Sequence, residues 1–355
     1  MPTLKRLETH CMLTPVELEP SDPRMRVAGA FNPGVAEHDG EVVLLVRVVE
    51  EAVEQREGYA SSPRVDAATG ELGLDWLDVN QLDMSDPRVY LHKPTNINRL
   101  RFISHFRVFY SKDGKTVDRA GVRVTPQGPY EIFGIEDPRI TRLGDVYYIT
   151  YVAVSDRGIC TCMMSTRDFQ TFERHGVILP PDNKDVILFP EKIRGRYVML
   201  HRPMPSLRFN TPQIWLAYSD DLIHWGGHHR LLGGDSASSD RIGGGAAPVR
   251  TDRGWLTIYH GNERLPVGEG GALRVCYTGG ALMLDLDDPS KLLAQTHEPI
   301  ITPTEPYETH GFVNNVIFPT AVLERDDRYL VYCGAADENI SVIAYDKAAL
   351  LATLK

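Results

Sequence analysis

Five times along the chain, a short phrase carrying proline or glycine leads through a charged turn into an apolar run rich in β-branched and aromatic residues. The phrases read NPGVAEHDGEVVLLVR, EDPRITRLGDVYYITY, FPEKIRGRYVMLHR, AAPVRTDRGWLTIYH and FPTAVLERDDRYLVYC. Four of them are followed by a further strand that ends in an Asp-containing turn: VFYSKDGKTV, CMMSTRDFQTF, WLAYSDDLIHW and ALMLDLDDPSKLL. Runs of this length and composition, punctuated by Gly, Asp and Pro, read as strands. A hairpin with one or two more strands, recurring at intervals of roughly 50 to 100 residues, reads as the blades of a propeller. A β-sandwich would give no reason for matching phrases at matching places. The expectation is an all-β, five-bladed β-propeller formed by residues 1–355 as a single domain, with a long insertion around residues 50–104. Helical periodicity is confined to the end, where YDKAALLATL suggests a strand edge and a short helix.

With 355 residues the chain can bury a large core, and its 30 glycines and 24 prolines suit a turn-rich fold. The formal net charge of -10 argues against nucleic-acid binding, which needs basic patches to displace counterions. The N-terminus lacks the apolar core of a signal peptide, and no apolar run is long enough to cross a membrane as a helix. Cys160 and Cys162 have strand spacing but no second pair to complete a zinc site, so the thiols read as reduced and no metal is expected. A cytoplasmic location follows as an expectation, and a homo-oligomer stays open. P-loop, Gly-x-Ser-x-Gly and Gly-x-Gly-x-x-Gly signatures are all missing; the Gly- and Ser-rich stretch GGDSASSDRIGGGAAP lacks the P-loop Lys-Ser/Thr ending.

In a propeller the innermost strands converge on the axis, so the five phrases would ring one mouth of a central pocket. They offer Asn32 and Arg47; Glu136, Asp137 and Arg139; Lys184, Asp185, Glu191, Lys192, His201 and Arg202; Arg241, Tyr259 and His260; and Asn314, Asn315 and Asp337. Carboxylates among cations and neutral donors suit a polyhydroxylated substrate accompanied by an anion. Each residue also has a plain structural reading. Asp113, Asp220 and Asp326 belong to turns that favour Asp for its backbone tolerance, and a pair such as Glu136 with Arg139 can simply tie neighbouring elements together.

GIEDPRIT, KDVILFPEKIRGRYVMLHRP, GGGAAPVRTDRGWLTIYHG and VIFPTAVLERDDRYLVYCGAAD resemble glycoside hydrolase family 130, the mannoside phosphorylases and related β-mannosidases. FNPGVAEHDGEVVLLVRVVE resembles that family's first blade, so the likeness runs from about Asn32 to Asp337. It implies inverting cleavage of terminal β-mannosidic bonds without metal or organic cofactor, with inorganic phosphate as co-substrate. On this resemblance Asp137 is the general acid, its proton relayed through a mannosyl hydroxyl. Lys184, Arg202, Tyr259, His260 and Arg241 match phosphate-binding positions. Asn32 and Arg47 match positions that hold the mannosyl hydroxyls, and Glu136, Arg139, Asp185 and Asp337 complete the expected substrate-binding wall. Some members carry Arg-Asn where this chain has Lys184-Asp185. The family also includes hydrolases, for which Glu191 or Glu263 would be the base. A non-catalytic sugar-binding propeller is the reading from another class, and a carboxylic acid aimed at a glycosidic oxygen is what separates it from an enzyme.

Overall fold

The computed structural model describes residues 4–205, 207, 209–233, 241–267 and 272–355; residues 234–240 of the Gly- and Ser-rich stretch lie outside the described residues. Antiparallel strands dominate and group into five main sheets. Sheet one consists of Met25–His38, Glu41–Ala52, Ile103–Ser111 and Arg119–Val124, and sheet two of Ile135–Leu143, Val146–Ser155, Gly158–Thr166 and Glu173–Leu179. Sheet three holds Asn183–Leu188, Tyr197–Pro203, Ile214–Ser219 and Gly226–Leu232. Sheet four holds Ile242–Gly244, Val249–Thr251, Gly254–Val267, Ala272–Leu284 and Leu292–Gln295. Sheet five is built from Ile317–Arg325, Arg328–Ala335 and Asn339–Asp346, with Glu8–Leu13 added at its edge.

The apolar runs explain how the sheets pack. A strand covered on one face alternates apolar and polar residues, but VVLLV at Val42–Val46 is apolar throughout and fully buried. Val42, Leu44 and Val46 pack with Leu330, Tyr332 and Val342 of sheet five, whereas Val43 and Leu45 pack with Ile149 and Tyr151 of sheet two. Three further clusters join sheets two and three, three and four, and four and five. Each sheet is thus sandwiched between two others in cyclic order, and the strands nearest the middle touch in the same order. Tight turns set the registers. Asp39 and Gly40, both at positive φ, form a two-residue hairpin turn whose twist matches the flanking strands.

The structure departs from the sequence reading in three places. Glu8–Leu13 is a strand paired with Asn339–Asp346, so the two ends of the chain share one sheet. It is secured by the guanidinium of Arg6, which donates to both oxygens of the buried Glu308 carboxylate at 2.9 and 3.0 Å. Deleting residues 1–13 should strip the cover from Asn339–Asp346, lower the thermal midpoint and promote aggregation through the bared edge, readable by calorimetry and light scattering. The insertion carries strands of its own, which the sequence reading did not assign: a two-stranded sheet, Tyr59–Val65 with Leu72–Asp78, and a three-stranded one, Leu82–Asp83, Val89–His92 and Ile97–Leu100. Finally, the WLTIYHG run belongs to a longer hairpin, paired from Trp255 with Leu284 to Val267 with Ala272. The chain's last helix, Lys347–Leu351, lies where its helical period predicted it. No helix among the described residues is long and apolar enough to cross a membrane.

Candidate active site

Three of the first strands contain the same local device. At Asn32, Asp137 and Asp185 the backbone is left-handed, with φ of 49°, 52° and 53°. Each sits at a break in register with the next strand: between Phe31 and Gly34, Glu136 and Arg139, and Lys184 and Ile187. A bulge of this kind kinks the strand and re-aims a side chain, and Asn and Asp are the non-glycine residues that tolerate the conformation best. All three residues line one cavity of about 370 Å³.

Arg47 organises one wall. It donates from Nη1 to Asp137 at 2.9 Å, from Nη2 to Glu136 at 2.8 Å and from Nε to Ser104 Oγ at 3.2 Å. Its guanidinium also lies over the Phe31 and Phe102 rings. Asn32 Nδ2 donates to the same Asp137 oxygen at 2.8 Å. Among the described residues Asp137 Oδ2 accepts no hydrogen bond, and the side chain is 11% exposed to the cavity. Burial would raise the Asp137 pKa, but Arg47, Arg139 and the Asn32 hydrogen bond together hold it below the ordinary carboxylate value.

A second cluster centres on Asp185. Its Oδ2 forms an ion pair with Arg202 Nη1 at 2.8 Å and faces His260 Nε2 at 2.8 Å. Burial opposes ionisation here too, yet Arg202 and His260 keep this carboxyl well below its usual range. His260 is itself pushed down by burial, against the pull of Asp185. Arg202 Nε is buried and has no hydrogen-bond partner among the described residues. Lys184 Nζ stands 3.7 Å from Glu136.

Lys184, Arg202, Arg241, Glu136 and Asp337 line the cavity with the residues above. Arg139, Tyr259 and His260 do not. Arg139 is buried beneath it, donating to the Gly245 carbonyl at 2.7 Å and to the Asp137 carbonyl at 3.3 Å. His260 is fully buried behind Asp185, its ring 4.2 Å from that of Phe318. The strand partner of His260 is Gly243, where a Cβ would stand 2.3 Å from Asp185 Oδ2 and 2.5 Å from His260 Nε2, so glycine makes room for this pair. Tyr259 packs against Gly280 instead. Of the alternative bases, Glu191 is surface-exposed and pairs with Arg250, and Glu263 is not in the cavity wall.

Sequence reasoning missed the insertion's share. Asp86, Arg88 and Asn98 line the cavity, with Tyr277, Phe312 and Phe318 supplying apolar wall. A signal existed: Asp-Pro-Arg occurs at 22–24 and 86–88 as well as 137–139. At the first two sites the Arg folds back on its own Asp in a two-point ion pair. At the third, the left-handed Asp137 prevents that pairing and turns its carboxylate into the cavity.

The family model for β-1,4-mannooligosaccharide phosphorylase, glycoside hydrolase family 130, matches residues 96–355. A β-1,2-mannobiose phosphorylase of Listeria innocua is 38% identical over 345 residues, covering 95% of this chain and 94% of that protein. A 1,2-β-oligomannan phosphorylase of Thermoanaerobacter is 38% identical over 248 residues, 68% of this chain and 78% of its own. The solved β-1,2-mannobiose phosphorylase from Listeria innocua, in complex with β-1,2-mannobiose, superposes with a TM-score of 0.90 at 35% identity over 99% of both chains. This chain belongs to glycoside hydrolase family 130.

Proposed function

We propose that the five main sheets are the blades of a five-bladed propeller, that residues 1–355 make one domain, and that the enzyme phosphorolyses terminal β-mannosidic bonds with inversion. The product is α-mannose 1-phosphate, since inversion at a β-linkage gives the α-anomer. The cyclic packing of the sheets supports the first part. The observation that carries the last is the pairing, in one cavity, of Asp137 with a cationic wall of Arg202, Lys184 and Arg241. An inverting hydrolase needs a second carboxylate set to activate water. Of the other carboxylates in the cavity wall, Asp185 is tied to Arg202 and His260, Glu136 to Arg47 and Asp86 to Arg88, and Asp337 interacts with Asp137 and Arg47 on the acid's side of the site; neither Glu191 nor Glu263 reaches the cavity. An anionic nucleophile held by cations needs no such base.

In this mechanism Asn32 and Arg47 orient the mannosyl unit, Glu136 and Arg139 fix the surroundings of Asp137, and Asp137 delivers a proton through a mannosyl hydroxyl to the departing oxygen. Phosphate sits against Arg202 and Lys184 and attacks the opposite face of the anomeric carbon. Asp185 and His260 aim Arg202 rather than touching phosphate, and Tyr259 supports the strand behind them. No organic cofactor or metal takes part. The favoured substrate is β-1,2-mannobiose or a short β-1,2-oligomannoside, by likeness to the relatives that span most of the chain. Five cysteines as reduced thiols, with no disulfide among the described residues, fit a cytoplasmic setting.

The test incubates the enzyme with β-1,2-mannobiose with and without phosphate and identifies the products. Phosphate-dependent α-mannose 1-phosphate supports the reading; equal release of mannose without phosphate overturns it. The insertion lines the departing sugar's side on this reading. Arg88→Ala should then raise KM for acceptor mannose about tenfold or more in the synthetic direction, the scale of one charged hydrogen bond, with KM for α-mannose 1-phosphate little changed.

A further inference from the structure

Three carboxylates, Glu136, Asp137 and Asp337, face the cavity around a single shared guanidinium. Arg47 is spent on Asp137, Glu136 and Ser104. The other cation near Asp337 is Arg88, and it is engaged with both oxygens of Asp86 at 3.0 and 2.8 Å. Among the described residues no hydrogen bond reaches the Asp337 carboxyl group. Its place is nevertheless fixed. Ala336 and Asp337 are both left-handed, at φ of 50° and 52°, in the turn after Arg328–Ala335. That turn is pinned to sheet one by the Ala30 amide, which donates to the Glu338 carbonyl at 2.8 Å.

Carboxylates crowded in a desolvated site cannot all be ionised, and the one without a cationic partner keeps its proton. Asp137 accepts hydrogen bonds from Arg47 and Asn32, whereas Asp337 accepts none among the described residues. We propose that Asp337 holds the proton of the resting site and passes it to Asp137 when sugar binds, an inference that rests on the phosphorylase reading above. The Asp337 O–H proton moves to a mannosyl hydroxyl while that hydroxyl's own proton moves to Asp137 Oδ2. The hydroxyl is unchanged, Asp337 becomes the carboxylate and Asp137 becomes the neutral acid. Asp137 then gives up the proton, through the hydroxyl relay, as the bond from C1 to the departing oxygen breaks and a phosphate oxygen bonds to C1. Asp337 recovers a proton from solvent. Burial first, with Asp137 and Glu136 adding, pushes Asp337 up to about 6 against the opposing charges of Arg47 and Arg88. These four are the charged groups that act on it most strongly.

The proton is therefore present below about pH 6 and lost above it. For the wild type, kcat/KM for β-1,2-mannobiose should fall about tenfold per pH unit on the alkaline side of that value. In Asp337→Asn this limb should move to lower pH, because Asp137 must then draw its proton directly from solvent. A limb that stays near 6 in the variant overturns the proposal. A measurement on the wild type alone guards against a variant that does not fold. β-1,2-Mannobiose is titrated without phosphate in two buffers of different ionisation enthalpy. Net proton uptake should be near zero at pH 5 and about one proton per site at pH 7.5, as expected for a group that titrates near 6. No uptake at pH 7.5 overturns the proposal. Mannose release without phosphate would count against the functional reading alone, and the proton count would still judge Asp337.

Discussion

Replacing Asp137 by Asn is expected to cut turnover by about 10²–10⁴-fold, the usual contribution of a positioned proton donor, while leaving sugar binding largely intact. The substitution is close to isosteric, and Asn accepts the left-handed backbone that this position imposes. Its amide oxygen can still accept from Asn32 and Arg47, so the wall around Arg47 should survive. What it cannot do is release a proton. Asp326→Asn is the matched control, because Asp326 is also left-handed, at φ of 46°, but lies in the hairpin turn between Ile317–Arg325 and Arg328–Ala335. That variant should keep wild-type kcat. Undiminished cleavage by Asp137→Asn would remove the acid assignment, and a matching loss in Asp326→Asn would show that the effect is one of folding.

Arg202→Ala should act on the other substrate. One of its nitrogens pairs with Asp185 while the side chain lines the cavity beside Lys184, a placement suited to holding an oxyanion. Losing a charged hydrogen bond of about 1.5–3 kcal/mol should raise KM for phosphate roughly 10- to 150-fold, with KM for mannobiose changed far less. Arg202→Lys should recover only part of the loss, since a single ammonium cannot bridge Asp185 and phosphate as a planar fork does. The alanine variant also leaves Asp185 buried with only His260, and breaking such a pair typically costs about 3–5 kcal/mol of stability. The sign with pH follows from the depressed folded-state pKa of Asp185. Its contribution is present above the unfolded carboxylate value and is lost as pH falls through the folded one. The stability gap between wild type and Arg202→Ala should therefore be wide near neutrality and shrink on acidification, which chemical denaturation at several pH values would read. Equal KM values for phosphate would sink the anion-site assignment.

Much of this molecule could be read before its structure, for a physical reason. Strands buried on both faces leave uninterrupted apolar runs such as Val42–Val46, and bulges leave a polar residue where such a strand begins, as at Asp137. Both marks are local. Glu8–Leu13 escaped notice because ETHCML is only weakly apolar and is a strand by virtue of a partner at the far end of the chain. The insertion escaped because its short strands stabilise one another with little buried core, so its composition reads as loop. Tyr259 and His260 show the opposite error. They sit in a recognisable phrase, but strand alternation and the absent side chain of Gly243 decide which way they face, and neither is visible without the register.

The pairing of Glu8–Leu13 with Asn339–Asp346 also has a consequence for how the protein comes into being. During synthesis Glu8–Leu13 leaves the ribosome long before its partner, Asn339–Asp346, appears. Contacts so distant in sequence form slowly, because the chain entropy of closing the loop must be lost before the pairing gives anything back. The early sheets can assemble as they emerge, each against its predecessor, but sheet one keeps a bare apolar face until sheet five arrives to cover it. Asp337 belongs to that late segment. A nascent chain would thus carry Asp137, Arg47 and Arg202 well before it could hold a substrate correctly, and catalytic competence would arrive as a single late event, when Asn339–Asp346 meets Glu8–Leu13.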